Sequence, residues 1–337
     1  MRKVKMGFDI GSSNLAIVHL DGDAVKTDVV RIPSGIVDED GYVKQKDSFI
    51  KFLKNTKKSL KLKRCSAALA LPNGHTSCKL TVLPEMTESQ VMINIPHEFV
   101  DFLEAPAAEY KFDYALCQAD PKSGEDPDDS RLAMMVACAR KDELNDYYVM
   151  FKRAGFKLTR MIPQDMAVVR LSDLAGVGEC CIVDLGYRWV RASMCWNGRI
   201  RASRQIPTGV KALETALSES DGSSQYVAGS YLRSDELDDS ELLPIYNEVA
   251  VEILKTVNFY QFTYKSQLDG IYLIGGGALV GKFRDVIQSV TGMEVLDISK
   301  LFGGSEEDAV MGFMARGAML IGGDWNENKE EQRQEAE

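Results

Sequence analysis

Two aspartate–glycine pairs define the chemistry open to this chain. Phe8-Asp-Ile-Gly11 recurs as Val183-Asp-Leu-Gly186, 175 residues further on and close to half of the 337-residue length. An aspartate at a strand end followed by x-Gly suits phosphate chemistry. Glycine lets the backbone approach an anion, successive N–H groups form an anion-binding nest, and the carboxylate is placed to hold the water shell of a divalent metal. One such tripeptide marks a turn and little else; two facing one another would grip a phosphorylated tail from both sides. A third segment completes the set: Gly270-Ile-Tyr-Leu-Ile274, then Gly275-Gly-Gly-Ala-Leu-Val-Gly281, then Lys282-Phe-Arg-Asp-Val-Ile-Gln-Ser-Val290. A strand, a glycine turn and a helix in that order suit backbone packing against a flat ring, or an anion at the helix N-terminus. Neither G-x-G-x-x-G nor G-x-x-x-x-G-K-[ST] spacing is present.

The elements that must position these residues repeat as well. After Gly11 come Ser12, Ser13 and Asn14, the β-type run Leu15-Ala-Ile-Val-His-Leu20 and the turn Asp21-Gly22; after Gly186 come Tyr187, Arg188 and Trp189, the run Val190-Arg-Ala-Ser-Met-Cys-Trp196 and the turn Asn197-Gly198. Asp-Gly and Asn-Gly favour two-residue hairpins because both central positions take positive φ. Each half therefore begins with strand, tight turn, strand, hairpin, strand, and a duplicated α/β domain is the economical explanation.

Taken together, Phe8-Asp-Ile-Gly-Ser-Ser-Asn14, Val183-Asp-Leu-Gly186 and Leu273-Ile-Gly-Gly-Gly-Ala278 resemble the phosphate 1, phosphate 2 and adenosine motifs of the actin-like ATPase superfamily. Asp165-Met-Ala-Val-Val-Arg-Leu-Ser-Asp-Leu174 and Ala309-Val-Met-Gly-Phe-Met-Ala-Arg-Gly-Ala318 resemble its two connecting helices. Between the motifs lie Ala68-Leu-Ala-Leu-Pro72, Leu83-Pro-Glu-Met86, Ile93-Asn-Ile-Pro-His-Glu-Phe99, Phe112-Asp-Tyr114, Met134-Met-Val-Ala-Cys-Ala139 and Ala154-Gly155. That order is similar to the small inserted 1C subdomain of the PilM family of type IV pilus assembly proteins, and Arg204-Gln-Ile-Pro-Thr-Gly209 resembles the segment after that family's second phosphate hairpin.

The resemblance implies a duplicated actin-like ATPase (ribonuclease H-like) α/β fold with a small inserted 1C subdomain. Subdomain 1A would take residues 1–74 and 155–180, the partner-binding 1C insert 75–154, subdomain 2A 181–208 and 268–323, and a helical 2B 209–267. ATP with Mg²⁺ would bind between the halves. Asp9 and Asp184 would hold the metal through water, Gly11, Ser12, Ser13, Asn14 and Gly186 would cradle phosphates, and Gly275, Gly276 and Gly277 would flank the nucleoside. Gln164 and Asp165 stand where relatives orient the attacking water, with a helix cap as the competing reading of Asp165. The implied partner is the short cytoplasmic N-terminus of a single-pass, PilN-like inner-membrane pilus protein, with other pilus assembly proteins and self-association as further contacts. The implied location is cytoplasmic, peripheral to the membrane through partners.

One departure bears on turnover. Where the family places small and hydroxyl residues after the second phosphate turn, this chain has Tyr187, Arg188 and Trp189. Their bulk would fill the γ-phosphate space, whereas Arg188 would pair with a phosphate. The expectation is ATP binding with weak or no ATPase activity. Three rivals stand beside it: a true ATPase or phosphotransferase with steady turnover, a nucleotide-free pseudo-ATPase scaffold, and an FtsA-like division protein. FtsA typically ends in a basic amphipathic helix, while Asp324–Glu337 carries six acids against two bases, which an anionic membrane would repel.

Composition excludes other classes. Forty Lys and Arg against fifty Asp and Glu give a net charge of −10, which offers nucleic acid no attracting field. The seven cysteines lie outside any C-x-x-C pair and read as free, mostly buried thiols; His19, His75 and His97 stand apart from one another and suggest no zinc site. No secretory leader follows Met1, and no apolar run is long enough to span a membrane, so direct insertion is not expected. Gln118–Ser130 reads as a solvated hairpin connection, Lys51–Arg64 as a solvated basic helix, Ser234–Glu241 as an acidic loop, and 324–337 as a disordered tail. In the amphipathic stretch Leu243 to Thr263, Val249, Ile253, Val257 and Tyr260 share a face, and the aromatics Phe259, Tyr260, Phe262 and Tyr264 read as core packing.

Overall fold

The computed structural model describes residues 4–21, 24–63, 66–117, 120, 131–174, 176–222, 232–233, 240–302 and 304–320. Gly22, Arg64, Cys65, most of Gln118–Ser130 and of Ser234–Glu241, and the 324–337 tail lie outside the described residues. Two compact units are formed: one draws on Met1–Leu116, Met134–Leu171 and Gly312–Glu337, the other on Cys117–Ala133 and Ser172–Met311.

The first unit is built on a five-stranded sheet in the order β3-β2-β1-β4-β8. Strands β1 (Met6–Ile10), β2 (Asn14–Asp21) and β3 (Ala24–Arg31) form an antiparallel meander; Asp21, expected in the turn, is instead the last residue of β2 and pairs with Ala24. Parallel to β1 run β4 (Ser66–Leu71) and β8 (Lys157–Pro163). The sequence Ser-Ala-Ala-Leu-Ala-Leu of β4 carries no charge because a central parallel strand is covered on both faces. One face is covered by α1 (Lys46–Ser59) and α3 (Lys141–Arg153), whose Phe49, Leu53 and Phe151 are fully buried with Phe8 and Leu69. Phe8 meets Phe151 and Phe156 edge-to-face, each at 5.0 Å.

A closing helix, labelled α8 below (Glu306–Leu320), approaches the same sheet through a glycine. A Cβ at Gly7 would lie 1.8 Å from the Ala315 carbonyl oxygen, so β1 accepts this helix only because position 7 has no side chain. Helix α4 (Gln164–Leu174) follows β8 directly.

Between β4 and α3 lies the insert: β5 (Thr76–Leu83), α2 (Glu88–Asn94), a 3-10 turn over Ile95–Phe102, β6 (Tyr110–Leu116) and β7 (Leu132–Arg140), with sheet order β5-β7-β6. Helix α2 starts with a capping box, Gln90 N–H donating to Thr87 Oγ1 and Thr87 N–H to Gln90 Oε1 at 2.8 Å.

The second unit repeats the plan. Strands β9 (Cys180–Leu185), β10 (Val190–Trp196), β11 (Arg199–Ile206), β12 (Gly270–Ile274) and β13 (Val295–Leu296) take the order β11-β10-β9-β12-β13, which matches the first sheet strand for strand. Asn197 (φ 40°) and Gly198 (φ 72°) make the expected hairpin between β10 and β11. Helices α5 (Val210–Asp221), α6 (Leu243–Tyr264) and α7 (Gly281–Thr291) complete the unit. Cys180 and Cys181 are fully buried in the central strand as small apolar filler, and loss of solvent pushes the Cys181 thiol far up.

Two readings of the sequence are corrected. Asp120, expected in a solvated connection, is fully buried, because Arg201 of β11 receives it in a bidentate ion pair, Nη2 donating to Oδ1 at 2.7 Å. Phe259 and Phe262, expected in the core, are 61% and 75% exposed. The period of α6 buries Val249, Ile253, Val257 and Tyr260 together, and that leaves positions 259 and 262 outside the buried stripe. The basic helix also starts earlier than the lysine run and stops at Ser59, with Lys61 beyond it at φ 52°.

Candidate functional site

Each central strand presents its aspartate at the penultimate position. Asp9 pairs in register with Ala16 and Ala70, Asp184 with Arg191 and Ile274. Beyond each, the same hydrogen bond closes a four-residue turn: Gly11 N–H donates to Asn14 C=O at 2.9 Å, and Gly186 N–H to Trp189 C=O at 3.1 Å. The repeat seen in the sequence is thus a repeat of backbone geometry. It places Tyr187 and Arg188 in the second unit where Ser12 and Ser13 stand in the first.

In the first unit Asp9 is half-buried and accepts a hydrogen bond from Gln164 Nε2 at 2.8 Å. Loss of solvent raises its pKa to about 6, with the Gln164 amide pulling the other way. Gln164 opens α4, and Asp165, in the same first turn, is 7% exposed, where a carboxylate is favoured by the helix N-terminus. Asn14 Nδ2 donates to Ser13 Oγ at 3.3 Å, and the Ser13 carbonyl accepts from Ile32 N–H at 2.8 Å, which fixes the turn against the end of β3. So the structure brings together Asp9, Gly11, Ser12, Ser13, Asn14 and Gln164: a carboxylate, two hydroxyls and two carboxamides beside a glycine turn. That donor set suits a hydrated divalent cation and a phosphate.

In the second unit the turn is held from behind. Val210 N–H and Lys211 N–H, in the first turn of α5, donate to the carbonyls of Gly186 (3.1 Å) and Tyr187 (2.8 Å). A Cβ at Gly209 would lie 2.5 Å from the Tyr187 carbonyl oxygen, which explains why the Ile206-Pro-Thr-Gly209 segment ends in glycine. Arg188 is exposed, with its guanidinium 5.1 Å from the Trp189 ring centroid. Across the strand ends, Gly275 takes φ +80°, and a Cβ there would lie 2.4 Å from Asp184 Oδ1. The second aspartate and the glycine loop are therefore neighbours, although 91 residues separate them in sequence. Gly276–Leu279 forms one 3-10 turn leading into α7.

The model for type IV pilus assembly protein PilM matches residues 7–308. This chain belongs to the PilM family. Its structure is similar to a solved PilM-PilN type IV pilus biogenesis complex, with TM-score 0.80 at 18% identity over 95% of this chain and 98% of that one. It is also similar to the ethanolamine utilization protein EutJ from Carboxydothermus hydrogenoformans, with TM-score 0.61 at 17% identity over 96% and 91%. These likenesses establish the actin-like ATPase fold. No curated sequence is close enough to the chain to match it.

The insert between β4 and α3 carries a second set of features. Ile93, Val100 and Phe102 are 68%, 65% and 65% exposed on α2 and the 3-10 turn after it. Lys79 lies 3.2 Å from Glu98 and within 5.6 and 5.9 Å of the Phe99 and Phe102 ring centroids, and Thr81 donates to Glu98 at 2.7 Å. The resemblance to the PilM insert singled out Ile93 to Phe99; that Ile93 and Phe102 face solvent was not legible in the sequence. Among the described residues no helix is long and apolar enough to cross a membrane, and no three His, Cys, Asp or Glu side chains are grouped to hold a metal directly.

Proposed function

We propose that this chain is a nucleotide-binding, actin-like scaffold of type IV pilus assembly. It binds ATP with Mg²⁺ and holds the cytoplasmic N-terminal peptide of a PilN-like single-pass membrane protein. The observation that carries the nucleotide reading is the repeated turn: an aspartate at the penultimate strand position and a glycine closed by the same hydrogen bond, once in each unit. Asp9 and Asp184 would hold the metal through water, the backbone at Gly11–Asn14 and at Gly186 would take phosphates, and Gly275–Gly277 would flank the nucleoside. Mg²⁺ keeps several of its waters at such sites. Weak or absent turnover is supported by Tyr187, Arg188 and Trp189 at the second turn, and by the engagement of Gln164 with Asp9. On this reading the nucleotide acts by differential affinity for conformations.

Family membership and the similar PilM-PilN complex support the partner, and the exposed Ile93, Val100 and Phe102 on the insert give an apolar peptide somewhere to rest. The subdomain limits 1–74 with 155–180, 75–154, 181–208 with 268–323, and 209–267 belong to the same proposal, as does a location at the inner face of the membrane through partners.

The test is the thermal midpoint of the purified chain with and without Mg·ATP, beside Asp9→Ala. A saturable rise that the variant lacks supports the reading by linkage. An unchanged midpoint at every nucleotide concentration overturns it in favour of a nucleotide-free scaffold.

A further inference from the structure

The chain carries a net charge of −10, yet residues 46–64 hold eight Lys or Arg and a single acid, Asp47. On α1 the exposed Lys51, Lys54 and Lys58 follow at three- and four-residue steps, and exposed Lys61 continues the row just past the helix end. Helix chemistry accounts for part of this. Lys57 and Lys58 lie in the last turn, where cations favour the macrodipole, and Lys57 donates to the Gly155 carbonyl. Lys51, Lys54 and Lys61 have no such reason to be there.

A helix face that only has to stay in water mixes both signs and builds i,i+4 pairs. Here the acids on the two neighbouring helices are already engaged: Asp47 with Arg153 (3.0 Å), Asp146 with Lys46 (2.5 Å), Asp142 with Arg140 (2.9 Å) and Glu143 with His75 (2.8 Å). Among the described residues no acid is paired with Lys51, Lys54, Lys58 or Lys61. On the neighbouring α3, Val149 is 39% exposed and lies on the stripe of Asp146 and Arg153 that meets α1.

We propose that the outer face of α1 is a docking surface for a lipid bilayer bearing anionic headgroups. The row is lysine alone, and lysine is a strongly hydrated point charge that suits mobile headgroups, each worth a useful gain near an anionic leaflet. Nucleic-acid surfaces lean on arginine forks and on aromatic platforms for bases; among the described residues of α1 and α3 the one arginine, Arg153, is tied to Asp47. The acidic remainder of the molecule is repelled by the same surface, so charge asymmetry fixes which face turns to the lipid. The contact is electrostatic, without insertion, and needs neither nucleotide nor partner peptide.

The test is cosedimentation of the purified full chain with vesicles of phosphatidylcholine alone or mixed with phosphatidylglycerol, at low and physiological salt. The Lys51→Gln/Lys54→Gln/Lys58→Gln variant is run in parallel and its thermal midpoint is measured to confirm folding. Binding to the mixed vesicles alone, weakened by salt and reduced about 100-fold in the variant at roughly 5-fold per lysine, is the expected result. Equal binding to both vesicle types, equal binding by the variant, or no binding overturns the proposal. So does tighter binding of a short DNA duplex through the same lysines, which would make the face a general polyanion site.

Discussion

Gln164 Nε2 donates to Asp9 Oδ1 at 2.8 Å, joining the first residue of a connecting helix to the carboxylate that ends the central strand. The bond favours ionised Asp9, but loss of solvent outweighs it and leaves the pKa at about 6, above the ordinary 3.8. A carboxyl raised on folding binds more protons in the native state than in the unfolded one. Its contribution to stability is therefore greatest below about 3.8 and lost as pH rises through about 6. Asp9→Asn, which keeps an acceptor for Gln164, should gain on the wild type over that window. Denaturant melts at pH 4 and pH 7 should show the variant's relative stability higher at pH 7 by about 1–2 kcal/mol, allowing for partial solvent access. Equal differences at both pH values would remove the burial argument.

A divalent cation needs the ionised carboxylate. If the chain binds Mg·ATP as proposed, the resulting stabilisation should fade as pH drops below about 6. Gln164→Ala deletes the interaction that lowers the Asp9 pKa, so the midpoint of that fade should move to higher pH while saturating stabilisation at pH 8 stays close to wild type. The readout is the Mg·ATP-induced shift in thermal midpoint measured across pH. A midpoint that stays put would show that Gln164 does not act through Asp9.

Gly275 and Gly281 make a matched pair in one loop. At Gly275 φ is +80° and a Cβ would lie 2.4 Å from Asp184 Oδ1; at Gly281 nothing lies within 4 Å of an added Cβ. Gly275→Ala should cost about 1–3 kcal/mol through backbone strain and displacement of Asp184, and should abolish nucleotide stabilisation. Gly281→Ala, at the start of α7, should be neutral or slightly stabilising. Thermal melts of both variants with and without Mg·ATP separate the two cases.

These contrasts show what sequence could and could not carry. The twin turns were legible because each is local: Asp-x-Gly, a short β run and an Asp-Gly or Asn-Gly pair all lie between Asp9 and Gly22 and again between Asp184 and Gly198. The Gly275–Asp184 neighbourhood and the Gly7–Ala315 approach were not, since a missing Cβ leaves no trace of which distant atom it admits. Asp120 was misplaced for a related reason. Its Pro- and acid-rich surroundings describe a solvated loop, and only tertiary structure shows that one of those acids answers an arginine 81 residues away. For Phe259 and Phe262 the error was of phase: aromatic content suggested core, while the buried stripe of α6 runs through Tyr260.

That buried arginine gives a further prediction. Arg201 holds Asp120 in two bonds, donates to Tyr260 Oη at 2.7 Å, lies 3.2 Å from Glu179 and stacks 3.9 Å from the Trp196 ring centroid. Asp120→Ala leaves the guanidinium buried with one carboxylate in place of two, and should cost about 3 kcal/mol. Tyr260→Phe, which removes the bond accepted from Arg201 and the one donated to Glu179 at 3.0 Å but keeps the ring, should cost about 1–2 kcal/mol. Chemical denaturation of the two variants checks the order; equal losses would mean the ion pair is not what stabilises this part of the second unit.

The exposed apolar residues of the insert yield the prediction that tests the partner. Phe102 is 65% exposed, so its replacement removes little from the core, and Lys79 already flanks the ring at 5.9 Å. If a peptide from a PilN-like protein rests on this patch, Phe102 is the aromatic anchor of the contact, and such anchors carry about 2 kcal/mol or more. Phe102→Ser should weaken binding of a synthetic N-terminal peptide by about 30-fold in fluorescence titration while leaving the thermal midpoint within a degree or two. Phe262→Ser on α6, 75% exposed and in the second unit, serves as the control and should bind as the wild type does. Loss of binding in both variants would indicate general apolar stickiness, and loss in the α6 variant alone would move the docking site off the insert.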